Sequence, residues 1–126
     1  MAAKKKKTKK PSPLAKVREA ALAYPGATEE FPWGESVIKV KGKVFIFLGR
    51  EEDGDVGVSV KLPQSGDAAL GLPFCAPTAY GLGKAGWVSA SFPGGKNVPV
   101  PLLLEWLDES YRAVAPKKML ALLDVK

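Results

Sequence analysis

Any chemistry in this chain has to run without histidine, because the sequence contains none. That removes Ser-His-Asp triads, Cys-His pairs, and the commonest metal ligand and general base near neutral pH. Cys75 is the single cysteine. It has no partner for an internal disulfide and no histidine with which to build a structural zinc site, so it reads as a small buried hydrophobe. Carboxylates occur as Glu29-Glu30, as Glu51-Glu52-Asp53 with Asp55, and as Asp108-Glu109. Paired acids do acid/base work when one is buried, but these fall at turns and on a polar helix face and are expected to be solvated charge. The 51–55 cluster lacks the spacing of an EF-hand calcium loop. No catalytic residue, metal site or cofactor is expected, and the chain reads as a binding protein, not an enzyme.

Gly81-Leu82-Gly83-Lys84-Ala85-Gly86 matches G-x-G-x-x-G. In a dinucleotide site that motif follows a strand and opens a helix, so that pyrophosphate rests on the helix N-terminus. Here prolines and Tyr80 precede it and a strand pattern follows, and the Walker spacing is absent. A turn that places Lys84 near the start of a strand is the expected structure.

The lysines are more suggestive. Lys39, Lys41 and Lys43 bracket a hairpin tip, Lys61 lies on a strand, Lys84 stands just before Trp87, and Lys96 follows Gly94-Gly95. Hairpin tips rich in Lys and Gly can lie along a groove and neutralise phosphates without reading bases. Trp33 and Trp87 are candidates to stack on a base. The competing reading is edge-strand lysines that deter aggregation, with both tryptophans in the core.

Charge divides the chain in two. Residues 1–10 hold Lys4, Lys5, Lys6, Lys7, Lys9 and Lys10 and no acid, while the whole sequence has 19 basic and 13 acidic residues. The net charge of +6 therefore belongs to this segment, and the remainder is neutral. Residues 1–12 are expected to be a disordered basic arm, because like charges repel and bury nothing. Residues 13–126 suit one domain with a real core, at 46% hydrophobic content. The apolar runs are too short and broken to span a membrane, and no apolar segment follows the basic N-terminus as in a secretory signal. A cytoplasmic home is expected.

The elements that must position these residues follow from periodicity. Ser12-Pro13 opens a helix carrying Leu14, Val17 and Ala21, which Pro25-Gly26 stops. A strand is expected at Glu30–Trp33. Residues 37–41 and 44–48 flank Gly42 as a hairpin, with Ile38, Val40, Val44, Ile46 and Leu48 on one face and Lys39, Phe45 and Phe47 on the other. Asp53-Gly54 signals a type I′ turn. Val56, Val58, Val60 and Leu62 alternate with small or polar residues as a half-buried strand. Residues 65–72 suit a short helix ended by Gly71, and Pro and Gly then enforce an irregular stretch. Residues 87–92 read as a strand. A helix follows Asn97, with Leu103, Leu107, Ser110 and Val114 on one stripe, Trp106 beside it, and an Asp108–Arg112 pair. Pro116 breaks it before a last helix over 117–123. This is α+β: an antiparallel sheet packed against helices in two layers.

Several short pieces in a fixed order carry a resemblance: Pro25-Gly26-Ala27, Ile38-Lys39-Val40, Val58-Ser59-Val60-Lys61, Gly83-Lys84-Ala85-Gly86-Trp87 and Ser110-Tyr111. Residues 13 to about 123 resemble the MmcQ/YjbR family of small bacterial proteins. The resemblance implies a two-layer α-β(3)-α-β(2)-α fold, including one strand that periodicity does not locate. It also implies DNA binding through a double-wing arrangement. Members often have Asn and His where this chain has Gly83 and Gly86; Lys84 and Trp87 are kept. The expected function is non-specific or weakly specific DNA binding, with the basic arm supplying affinity and the Lys-bearing wings orienting the domain. The alternative is a protein-interaction or chaperone-like module.

Overall fold

The computed structural model describes residues 13–31, 36–49, 56–79 and 81–123. Helix α1 spans Pro13–Leu22 and buries Leu14, Val17 and Ala21, the stripe its spacing predicts. The chain then turns through Pro25 and Gly26 into the first strand. The strands are β1 (Ala27–Glu30), β2 (Ser36–Val40), β3 (Lys43–Leu48), β4 (Val56–Lys61), β5 (Cys75–Pro77) and β6 (Trp87–Phe92). Helix α2 (Gly66–Leu70) lies between β4 and β5, and α3 (Val100–Val114) and α4 (Lys117–Leu123) follow β6. All strand pairs are antiparallel, in the order β1-β2-β3-β4-β6-β5. The fold is α+β.

Three details differ from the expectations. Four strands precede α2, as the residue pattern indicates, where the family resemblance implies three. The first strand ends at Glu30 instead of running to Trp33, which lies outside the described residues. The strand that periodicity did not locate is β5, three residues long, paired with β6 from Cys75↔Ala90 to Pro77↔Val88. Too short to show alternation, it sits at the sheet edge, where the missing N–H of Pro77 is tolerated. The Asp53-Gly54 turn and the 51–55 carboxylates lie outside the described residues.

The β2–β3 hairpin turns on Lys41 and Gly42, whose φ angles of 52° and 81° are those of a type I′ turn. Its register holds a correction. Ile38 pairs with Ile46 but Lys39 pairs with Val44, so Phe45 is an extra residue in β3, a β-bulge. Alternation had placed Phe45 on the Lys39 face and Val44 with the core. The bulge exchanges them: Phe45 and Ile46 are both buried, and Val44 goes over to the face of Lys39.

One core cluster joins the sheet to the helices through Ile38, Phe45, Ile46, Val60, Leu107 and Tyr111 among others. Phe45 meets the Tyr111 ring edge-on at 5.0 Å, and Tyr24 tilts against Tyr111 at 4.6 Å. The Tyr111 hydroxyl donates to the Pro25 carbonyl at 2.7 Å, so α3 also fixes the turn after α1. On the opposite sheet face lie Lys39, Phe47, Gly57, Ser59, Lys61 and Ser89, as alternation with the buried valines of β4 requires.

Candidate nucleic-acid interface

Strand direction decides which lysines can act together. Strand β2 runs toward the Lys41-Gly42 turn and β3 runs away from it. Strand β4, antiparallel to β3, returns to the same end and finishes at Lys61, directly opposite Trp87. A single 3-10 turn over Leu82–Ala85 leads into β6 and places Lys84 at that end as well. Lys41, Lys43, Lys61 and Lys84, far apart in sequence, therefore share one end of the sheet. Lys41, Lys43 and Lys84 are exposed and Lys61 is half-buried.

The other two lysines do not join them. Lys39 lies on the sheet face, and its ammonium is 2.9 Å from Glu30 Oε1, so its charge is already countered. Lys96 follows the opposite end of β6, a six-residue strand away from Lys84, roughly 20 Å. The six lysines of residues 4–10 lie outside the described residues.

The shared end is forked. The Gly49 N–H donates to the Gly57 carbonyl at 2.8 Å, which marks a hydrogen-bonded β3–β4 pair. Such pairs recur every second residue, so Phe47/Ser59 and then Phe45/Lys61 come next. At Phe45/Lys61, where this ladder ends, a side chain joins both strands. The Lys61 N–H donates to Ser110 Oγ at 2.9 Å, and that hydroxyl donates to the Phe45 carbonyl at 2.5 Å. Ser110, fully buried on α3, thus ties the ends of both strands to the helix. Pairing of β3 with β4 stops at Ile46↔Val60, while the β4–β6 ladder runs on to Lys61↔Trp87 and a Leu62 N–H to Gly86 carbonyl bond of 2.8 Å. The Lys41/Lys43 tip stands on one side of the fork, and Lys61 and Lys84 on the other.

Next to Lys84 is a cleft of about 250 Å³ whose walls include Pro63, Gln64, Asp67, Gly83, Lys84 and Trp87. Trp87 is neither an open stacking platform nor a member of the main core. It packs edge-on against Phe47 at 5.3 Å on the sheet face away from the helices, with 8% of its surface accessible. A base cannot lie flat on a ring so covered. The G-x-G-x-x-G segment is the tight turn expected, and strand β6 follows it. A side chain at Gly83 would bring its Cβ within 2.8 Å of Pro77 Cβ, and Gly86 sits at φ 94°. Both positions therefore favour glycine, Gly83 for space and Gly86 for its backbone conformation.

Glu30 is exposed as expected, but Glu29, Asp108 and Glu109 serve as structural ties. Glu29 accepts two bonds from Arg18, at 2.5 and 2.7 Å, and one from Ser36 Oγ. The Arg18 bonds hold its pKa below the usual range against the effect of burial, with Ser36 adding to them. Asp108 accepts from the Tyr24 hydroxyl at 2.8 Å and from Arg112 at 2.7 Å. Glu109 accepts from the Gln64 N–H, the Ser65 N–H and the Ser65 hydroxyl, fastening the β4–α2 connection to α3. Burial raises its pKa, but these bonds outweigh it and the net shift is downward. Sequence spacing indicated the Asp108–Arg112 pair but carried no sign of Tyr24, Gln64 and Ser65 as partners, which lie 44 to 84 residues from the carboxylates they bond. Cys75 is half-buried on the edge strand instead of fully buried, and burial pushes its thiol pKa up. Among the described residues, no group of His, Cys, Asp or Glu is placed to hold a metal ion, and no helix is long and apolar enough to cross a membrane.

No curated protein matches this chain. The family model described as YjbR matches residues 22–113, from the end of α1 to the end of α3, and so covers the fork, the four clustered lysines and the Ser110-Tyr111 pair. The chain belongs to the YjbR family.

Proposed function

We propose that this protein binds DNA, non-specifically or with weak specificity, through the lysine-bearing end of its sheet together with the basic segment at residues 4–10. The observation that carries the reading is the convergence of Lys41, Lys43, Lys61 and Lys84 on one end of a domain that is neutral overall, on two tips that flank the point where β3–β4 pairing stops. Lysines on tight turns present charge to phosphates and carry little base information. Affinity is therefore expected to be electrostatic and to fall steeply with salt, with no catalytic step.

The test is a salt-titrated binding assay on the full-length protein and on a variant lacking residues 1–12. If all six lysines of that segment neutralise phosphates, its removal flattens the plot of log K against log salt by roughly 5 units. An unchanged slope refutes a role for the segment; total loss of binding refutes a role for the tips. A second reading, a protein-interaction or chaperone-like module, draws on the shallow hollow of about 240 Å³ on the open sheet face beside Phe47, Ser59 and Ser89. Partners retained from nuclease-treated lysate would favour it over DNA.

A further inference from the structure

We propose that Lys117 and Lys118, the first residues of α4, extend the basic end of the sheet into the helix layer and bind the same polyanion, the phosphate backbone of a DNA duplex. This rests on the DNA-binding reading and adds two residues to its site.

The path of the chain brings α4 to that end. Helix α3 carries Ser110 to the Lys61 N–H and the Phe45 carbonyl, and Tyr111 to the Pro25 carbonyl, so its last turn emerges beside the clustered lysines. The Ala115 N–H donates to the Tyr111 carbonyl at 2.8 Å, and Pro116, which cannot continue the helix, turns the chain into α4. Met119, Leu120 and Leu123 then pack against the core. Met119 fixes where α4 begins. A Cβ placed on Gly26 would lie 2.9 Å from Met119 Sδ and 3.6 Å from Val40 Cγ2. Val40 stands immediately before the Lys41-Gly42 turn, and its partner in β1 is Ala27, the residue after Gly26. One turn further along α4, Leu123 lines a hollow with Ala20, Ala23 and Tyr24. Helix α4 therefore starts beside the Lys41/Lys43 tip and runs back along α1.

Both lysines are exposed, and among the described residues neither has an ionic partner. Their placement works against the helix. The start of a helix favours acidic side chains, and the first turn of α4 holds none. Asp or Glu there would serve solubility as well and would stabilise α4. Two more cations beside four lysines also add repulsion, which a bound polyanion relieves. Residues that oppose a local preference in this way point to a role beyond the fold.

The experiment titrates a labelled duplex across salt with three full-length proteins: the unaltered chain, Lys117→Gln/Lys118→Gln, and Lys16→Gln/Lys96→Gln. The two variants lose the same net charge, so any difference between them reports position. Lys16 lies in the first half of α1, and Lys96 lies beyond the far end of β6. The α4 variant is expected to flatten the plot of log K against log salt by roughly 1.8 units, which over a fourfold change in salt is about 12-fold in affinity. The control variant is expected to leave the slope unchanged. An unchanged slope in the α4 variant, or equal flattening by both variants, overturns the assignment. A second measurement needs no substitution. The unaltered protein is acetylated on lysine with and without duplex and read by mass spectrometry. Protection of Lys117 and Lys118 along with Lys41, Lys43 and Lys84, but not of Lys16 or Lys96, is expected. Protection of the tip lysines alone overturns the α4 assignment and leaves the DNA reading standing. Failure of the unaltered protein to bind duplex at low salt overturns the DNA reading, and this assignment with it.

Discussion

Neutralising the clustered tip lysines, and not the distant one, is the sharpest test of the interface. The perturbation is a set of Lys→Gln changes at Lys41, Lys43, Lys61 and Lys84, compared with Lys96→Gln alone. The first four share one end of the sheet, and Lys96 lies beyond the other end of β6. Each lysine that neutralises one phosphate contributes about 0.9 to the slope of log K against log salt, so the tip set contributes roughly 3.6. A fourfold rise in salt then weakens the tip contribution by roughly 150-fold. The assay is fluorescence anisotropy with a labelled duplex over a salt series, with thermal unfolding to confirm that each variant folds. The fourfold variant is expected to lose most of that slope, and Lys96→Gln to leave it unchanged. If Lys96→Gln flattened the slope as much as a single tip change, strand direction would not be what selects the binding lysines.

Two further predictions concern what holds the site in place. Tyr111→Phe keeps the ring packing but leaves the Pro25 carbonyl without its 2.7 Å donor, and should lower stability by about 1–3 kcal/mol in urea unfolding. An unchanged midpoint would refute that role. Glu109 has a pKa below its ordinary 4.5 when folded, so its stabilising effect is complete above that value and is lost as pH falls through the folded pKa. Glu109→Gln should therefore flatten the acid limb of stability below about pH 4.5, and an unaltered acid limb would refute the assignment.

Local pattern made much of the fold legible. The stripe of Leu14, Val17 and Ala21, the Lys41-Gly42 turn, the alternation of β4, the run 87–92 and the Pro116 break each act over a few residues, and each element stands where its pattern points. Elements without such a signature were missed. Strand β5 is three residues long and takes its identity from pairing with β6. The Phe45 bulge breaks alternation for a reason that lies on α3, and a period-two pattern cannot reveal it. Asp108 and Glu109 looked solvated because Tyr24, Gln64 and Ser65 are distant in sequence.

The site divides along the same line. Residue types alone determined that histidine-based catalysis and a structural zinc site are closed to this chain, and that its net positive charge resides in residues 4–10. Which lysines act together is a matter of strand direction, a long-range property set by the order in which strands pair. Only the tertiary structure gathered Lys41, Lys43, Lys61 and Lys84 at one end, left Lys96 at the other, and paired Lys39 with Glu30. Only there does Ser110, one polar residue on a helical stripe, become the hydroxyl bonded to two strands that begin at residues 43 and 56.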